Sequence, residues 1–180
     1  MNNLEIPVGT SDFAEIRQNG YYYVDKTVLI SELLKTASNK VTLITRPRRF
    51  GKSLGMSMLE NFFDIRKDSR TLFAGLEISQ NKALCDEWMN QYPTISVSFS
   101  RVFGLNYTKA YDMLTMVIAD LFNKHLYLIQ DGKGTDFENS TFKHLADGCA
   151  SEKEIKSSFL LLTGTVSYTH LRAHETLSDL

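Results

Sequence analysis

Three consecutive residues, Gly51, Lys52 and Ser53, form the most chemically specific pattern in this sequence. A glycine lets the backbone approach phosphate oxygens, a lysine supplies an ammonium group to them, and a serine hydroxyl is a ligand for Mg²⁺. The three residues end the phosphate-loop pattern G-x-x-x-x-G-K-[ST], but Arg46 stands where that pattern has its first glycine. Two interpretations follow: a nucleotide site with an unusual entrance, or a basic turn in which Gly51 serves geometry alone.

The charged residues around this pattern are all basic. No acidic residue occurs between Glu32 and Glu60, although the chain of 180 residues has a net charge of −1. The basic residues of the stretch are Lys35, Lys40, Arg46, Arg48, Arg49 and Lys52. A basic segment in a nearly neutral protein predicts a local anion site, and a solvated basic loop is the alternative.

The elements on either side of the pattern must position it. Residues 41–45 (VTLIT) predict a buried strand before the loop, and the spacing of Leu54, Met58 and Phe62 predicts a helix after it. Residues 92–100 alternate apolar and serine side chains and predict a second strand. Further helices are predicted over residues 8–20, 26–37, 81–92, 106–131, 142–148 and 151–163. Strands that alternate with helices predict an α/β fold with a mainly parallel sheet.

Two separated segments resemble the AAA-ATPase-like family of bacterial proteins. They are YYYVDKTVLISELLK at 21–35 and VTLITRPRRFGKSLGMSMLENFF at 41–63, and LFAGLEI and YPTISVSFS follow in the same order. The resemblance covers about Ile6 to about Leu162 and implies that the Arg46 loop is this family's own form of the phosphate loop. It implies an incomplete P-loop NTPase of AAA-like type, with three layers and helices on both faces of the sheet.

The resemblance implies ATP and Mg²⁺ as cofactors, with Ser53 as the metal ligand. The residues expected to bind the nucleotide are Arg46, Pro47, Arg48, Arg49, Phe50, Gly51, Lys52, Ser53 and Leu54. The family segment Asp25–Lys26–Thr27 either borders the base pocket near the start of the helix or consists of a capping aspartate with two exposed neighbours.

The catalytic residues stay unknown. A P-loop NTPase needs an apolar strand ending in an acid that holds Mg²⁺. Asp120 follows an apolar run but lies within helical periodicity, and residues 158–166 have such a run without an acid after it. We therefore expect the nucleotide-binding domain to extend over residues 1–164, to end before that strand, and to hydrolyse ATP weakly or not at all.

Residues 165–180 resemble translated sequencing-adapter DNA and not natural protein. The alternative is a genuine C-terminal helix that carries His170 and His174 at i, i+4 spacing, which can hold a metal ion.

Nucleotide is the expected partner, and a homo-oligomer is considered for the full-length protein. Nucleic acid would be contacted through a C-terminal nuclease-like domain that the resembled family often carries. Cys85 and Cys149 lack metal or redox spacing, and no signal peptide or membrane span is recognisable, so we expect a cytoplasmic protein that does not bind membranes. Two other functions stay open: a module that binds nucleic acid through its basic loop, and a degenerate nucleotide sensor that acts through a partner.

Overall fold

The computed structural model describes residues 5–35, 41–45, 47, 49–130 and 135–178, and the side chains of this part as far as residue 166. The chain divides into two compact units, Met1–Thr94 and Ile95–Leu180. The predicted domain over residues 1–164 and the separate tail stay predictions.

The first unit is built from short helices. They are α1 (Phe13–Gln18), α2 (Val28–Lys35), α3 (Lys52–Phe63), α4 (Arg70–Phe73), a 3-10 helix (Glu77–Gln80) and α5 (Lys82–Trp88). Helix α1 contacts α3 and α4, while α2 contacts the 3-10 helix. The predicted helices after Gly51 and around residues 8–20, 26–37 and 81–92 are confirmed.

Aromatic packing fixes α3 in the first unit. The Phe73 ring lies 4.8 Å from the ring of Phe13 and 5.3 Å from the ring of Phe62, and all three side chains are buried. Truncation of a buried phenylalanine to alanine costs about 3–5 kcal/mol, so this contact ties α3 firmly to α1 and α4. The full set of buried apolar residues is Phe13, Ile30, Met58, Phe62, Phe73, Leu76, Ile78, Cys85 and Met89.

The second unit contains four helices among the described residues: α6 (Tyr107–Lys124), α7 (Tyr127–Gln130), α8 (Asp136–Ala146) and α9 (Glu152–Ser178). The long predicted helix over residues 106–131 is therefore divided between α6 and α7. Helix α8 begins with a capping box, in which Thr135 Oγ1 accepts the Glu138 N–H and the Glu138 carboxylate accepts the Thr135 N–H. Phe122 and Phe142 pack with ring centroids 4.6 Å apart in the core of this unit.

The predicted α/β fold is wrong. The described residues form no sheet, and their only β-type pairing is an isolated parallel bridge between Asp64 and Tyr92. Residues 41–45 are irregular, and Val41 and Leu43 are each 84% exposed, so the predicted buried strand is absent. A strand exists only when its backbone pairs with a neighbour, and the local pattern shows a suitable segment without showing a partner. Because the described residues form no sheet, the predicted arrangement of three layers around a parallel sheet is wrong as well.

Candidate functional site

The N-terminus of α3 lies at the pattern that the sequence singled out. Gly51 precedes the helix with φ of 75° and ψ of 25°, a left-handed conformation that glycine adopts without a steric penalty. The Gly55 N–H donates to the Gly51 carbonyl at 2.8 Å and begins the helical hydrogen bonding. Gly51 has no side chain that could cap this end, and the first turn contains no acidic residue. The N–H groups of a helix's first turn and the helix dipole both favour an anion at such an end.

Lys52 keeps its ammonium group at the loop. Its side chain is exposed, and Nζ donates a hydrogen bond to the Pro47 carbonyl at 3.3 Å. The lysine thus folds back over the residues that precede it along the chain. An ammonium held at the start of a helix can interact with an anion bound to that helix's N–H groups.

Arg49 gives the loop a second left-handed residue. Its φ of 67° is unusual for a residue other than glycine and costs about 1–2 kcal/mol. Together with Gly51 it turns the chain sharply before α3, and Phe50 between them remains 63% exposed. Backbone strain of this kind persists where the surroundings enforce it, and it is common at ligand-binding loops.

Two cavities lie beside the loop, and Gly51 and Lys52 line both. The larger has a volume of about 850 Å³ and lies between the N-terminal residues 7–11 and the loop, where Arg49 and Ser53 also line it. The smaller has a volume of about 440 Å³ and a mainly apolar wall that includes Leu29, Ile44, Phe50 and Met56. Both volumes suit a small ligand, and none of the described lining residues is acidic.

Lys26 is a site residue that was not assigned from the sequence. Its Nζ lies 3.3 Å from the point where a Cβ would stand on Gly51, and Lys26 lines the smaller cavity. The pattern around Gly51 could not reveal this neighbour, because Lys26 belongs to a segment that precedes the loop by many residues. The family segment Asp25–Lys26–Thr27 was the available signal.

Asp25 and Thr27 hold the backbone on either side of Lys26. The Asp25 carboxylate accepts the Thr27 N–H at 2.8 Å, the Thr27 hydroxyl at 2.7 Å and the Glu77 N–H at 2.7 Å. Thr27 Oγ1 in turn accepts the Ile78 N–H at 3.2 Å, and Thr27 is fully buried. Thr27 is thus not the exposed neighbour that one interpretation expected, and this segment is tied to the 3-10 helix.

These hydrogen bonds also affect the acidity of Asp25. Partial burial acts to raise its pKa, but the bonds from the Glu77 and Thr27 amides and from the Thr27 hydroxyl outweigh burial. The pKa of Asp25 is therefore lower than that of an ordinary aspartate, and the group stays ionised at neutral pH.

The loop and the first turn of α3 bring together most of the predicted nucleotide-binding residues. Ser53 is exposed at the larger cavity, and Leu54 is half-buried and packs against the core of the first unit. Arg46 and Arg48 lie outside the described residues. The strand expected before the loop is absent, so of the predicted strand, loop and helix only the loop and the helix are present.

Among the described residues, no acidic side chain lines the two cavities at this loop. Asp120 is an exposed residue of α6, as its helical periodicity predicted. Within the described part of the chain, no three side chains of His, Cys, Asp or Glu type gather in a way that could hold a metal ion. The side chains of His170 and His174 lie outside the described residues.

Both cysteines are free, with Cys85 buried and Cys149 exposed. Among the described helices, none has the length and apolar character needed to cross a membrane.

Comparison with known proteins places this loop in a family. A family model described as AAA-ATPase_like, Predicted AAA-ATPase, matches residues 7–163. A protein of Azotobacter chroococcum mcd 1 described as "Uncharacterized protein in vnfD 5'region" is 34% identical over 100 residues, which are 55% of this chain and 18% of that relative. The matched region thus spans less than a fifth of the relative's length, and no solved structure matches the chain. Because the family model covers most of the sequence, including the loop and α3, the chain belongs to the AAA-ATPase-like family.

Proposed function

We propose that this chain binds ATP together with Mg²⁺ at the N-terminus of α3. The observation that carries the proposal is the position of Gly51 and Lys52 at the start of a twelve-residue helix with no acidic residue in its first turn. The ammonium of Lys52 stays at this end through its bond to Pro47. Membership of a family described as predicted AAA-ATPases selects a nucleoside triphosphate among the anions that such an end can bind.

Each part of the ligand has a complement among these residues. The N–H groups at the start of α3 donate to phosphate oxygens, and the Lys52 ammonium exchanges the Pro47 carbonyl for another phosphate oxygen. The nucleoside occupies the larger cavity, between the loop and residues 7–11.

The residues present also suit Mg²⁺. This ion prefers oxygen ligands and usually takes most of them from waters and substrate phosphates, so one hydroxyl from Ser53 is a sufficient protein contribution. Gly51 places no side chain between the backbone and the phosphates that would carry the ion. When bound, the ion neutralises phosphate charge.

We propose binding with little hydrolysis by this chain. None of the described residues that line the two cavities is acidic, so we assign none of them to orienting an attacking water.

Titration of ATP with Mg²⁺ into the wild type and Lys52→Ala, followed by calorimetry, tests the proposal. A hydrogen bond to a charged group contributes about 1.5–3 kcal/mol, so we expect the variant to bind at least about tenfold more weakly. Lys82→Ala is the matched control, because Lys82 is an exposed lysine at the start of α5. Equal affinity of the wild type and Lys52→Ala, or no binding by the wild type, would overturn the proposal.

A second titration separates this function from nucleic-acid binding by the basic loop. An oligonucleotide is added at low and at high salt, with and without ATP. A nucleic-acid module would bind the oligonucleotide with an affinity that falls steeply with salt. We expect instead that this chain binds ATP in the absence of the oligonucleotide. Tight oligonucleotide binding that ATP does not weaken would favour the alternative.

A further inference from the structure

We infer that Lys26 is a second cationic contact for the phosphates at this loop, an inference that rests on the proposed ATP binding. Its Nζ lies 3.3 Å from the Cβ position of Gly51, the residue from which α3 begins. Lys26 and Lys52 therefore approach the same helix end from two different segments of the chain.

The position of Lys26 is held by its neighbours. Asp25 is bound to the Glu77 N–H, and the buried Thr27 accepts the Ile78 N–H, so the backbone on both sides of Lys26 is attached to the 3-10 helix. The Lys26 side chain is itself exposed and departs from this anchored backbone toward Gly51. A lysine whose backbone is held in place loses less conformational freedom when its side chain binds a ligand.

The charges at the smaller cavity favour an anion. Lys26 and Lys52 both line this cavity, and none of the described residues of its wall carries a negative charge. Two ammonium groups at one cavity repel each other, and an anion with several oxygens relieves the repulsion while bonding to both. A polyphosphate chain meets this requirement, whereas adenosine without phosphates does not.

Gly51 leaves the space between Lys26 and the helix free. A Cβ at this residue would stand 3.3 Å from the ammonium, closer than ordinary van der Waals contact, so the Lys26 side chain would have to shift. Without it, a phosphate oxygen can approach both the ammonium of Lys26 and the N–H groups of α3. Lys26 therefore acts in phosphate recognition, and its loss should weaken the binding of ATP more than the binding of adenosine.

The test compares Lys26→Gln, Lys26→Arg and the control Lys82→Gln in titrations of ATP with Mg²⁺ at two ionic strengths. We expect Lys26→Gln to weaken ATP binding about tenfold and to make it less dependent on salt, because one screened ionic contact is lost. Lys26→Arg should restore most of the affinity, and Lys82→Gln should behave as the wild type. Wild-type affinity and salt dependence in Lys26→Gln would overturn the inference.

A measurement on the unaltered chain covers the case in which a variant fails to fold. Lysines are acetylated with and without ATP and Mg²⁺, and the modified positions are quantified by mass spectrometry. We expect ATP to protect Lys26 and Lys52 while Lys82 reacts equally in both samples. Protection of Lys52 alone would overturn the role of Lys26 and leave ATP binding intact, whereas protection of neither would overturn ATP binding as well.

Discussion

The ammonium of Lys52 is hydrogen-bonded to the carbonyl oxygen of Pro47, 3.3 Å away, across the turn that leads into α3. This bond keeps the positive charge at the helix end before any ligand arrives. Because this bond already holds the side chain near the helix end, Lys52 loses less conformational freedom when a phosphate oxygen replaces the Pro47 carbonyl as an acceptor.

A glycine-to-alanine pair in the first turns of α3 tests the geometry of the loop. Gly51→Ala places a Cβ on a residue with φ of 75° and should lower the free energy of unfolding by about 1–2 kcal/mol. Gly55→Ala should raise it by about 0.5–1 kcal/mol, since this glycine is helical and a Cβ there meets nothing within 4 Å.

Urea unfolding followed by tryptophan fluorescence measures both changes. Trp88 is the single tryptophan, and its ring stacks on Tyr92 with centroids 4.9 Å apart, so its emission reports on the first unit. Destabilisation by both substitutions would mean that the two glycines do not differ in backbone conformation.

Thr27 should contribute to stability through its hydroxyl more than through its methyl group. Thr27→Val removes the acceptor of the Ile78 N–H and a donor to Asp25 in a fully buried position, and should cost about 1–3 kcal/mol. Thr27→Ser keeps both hydrogen bonds and should be clearly less destabilising. Thermal unfolding of the two variants checks this, and a serine variant as unstable as the valine variant would assign the effect to packing.

Asp64 should make the first unit sensitive to acid. Its side chain is buried and accepts hydrogen bonds from the backbone N–H and guanidinium of Arg66. Burial acts to raise the pKa of Asp64, but the bonds and the positive charges of Arg66 and Lys67 outweigh it, so the pKa lies below its ordinary value.

The sign of the pH effect follows from this lowered pKa. The unfolded chain binds the proton more tightly, so the stabilisation by Asp64 is complete above the unfolded pKa of about 3.9 and is lost as the pH falls through the lower folded pKa. Asp64→Asn should be less stable than the wild type by about 1–3 kcal/mol at pH 7, and the difference should shrink toward pH 2. Unfolding curves with parallel pH dependence for the two proteins would contradict the prediction.

Asn90 should stabilise the connection between α3, α4 and α5. It adopts φ of 57°, and its side chain donates to the carbonyls of Asn61 and Asp64 and accepts the Ser69 N–H, at 2.9–3.1 Å. Asn90→Ala loses these bonds and keeps the backbone strain, so it should cost at least about 2 kcal/mol. Asn90→Gly loses the bonds but relieves the strain and should be intermediate in urea unfolding. A glycine variant as stable as the wild type would show that the side-chain bonds contribute nothing.

The helices and the family could be predicted from the sequence. Helical hydrogen bonds join residues four apart, so apolar spacing and local caps carry enough information to locate α3 after Gly51 and most other helices. The motif segments likewise named the family that the comparison shows. The acid-poor run and the order Gly51, Lys52, Ser53 were sufficient to predict the position of the candidate site.

Contacts between distant segments were decided by the tertiary structure alone. The predicted strands at 41–45 and 92–100 are absent because a strand needs a partner, and no local pattern specifies that partner. The approach of Lys26 to Gly51 depends on the packing that attaches Asp25 and Thr27 to the 3-10 helix. The sequence by itself therefore determined the chemistry of the loop, whereas only the packing of remote residues decided which other charges reach it.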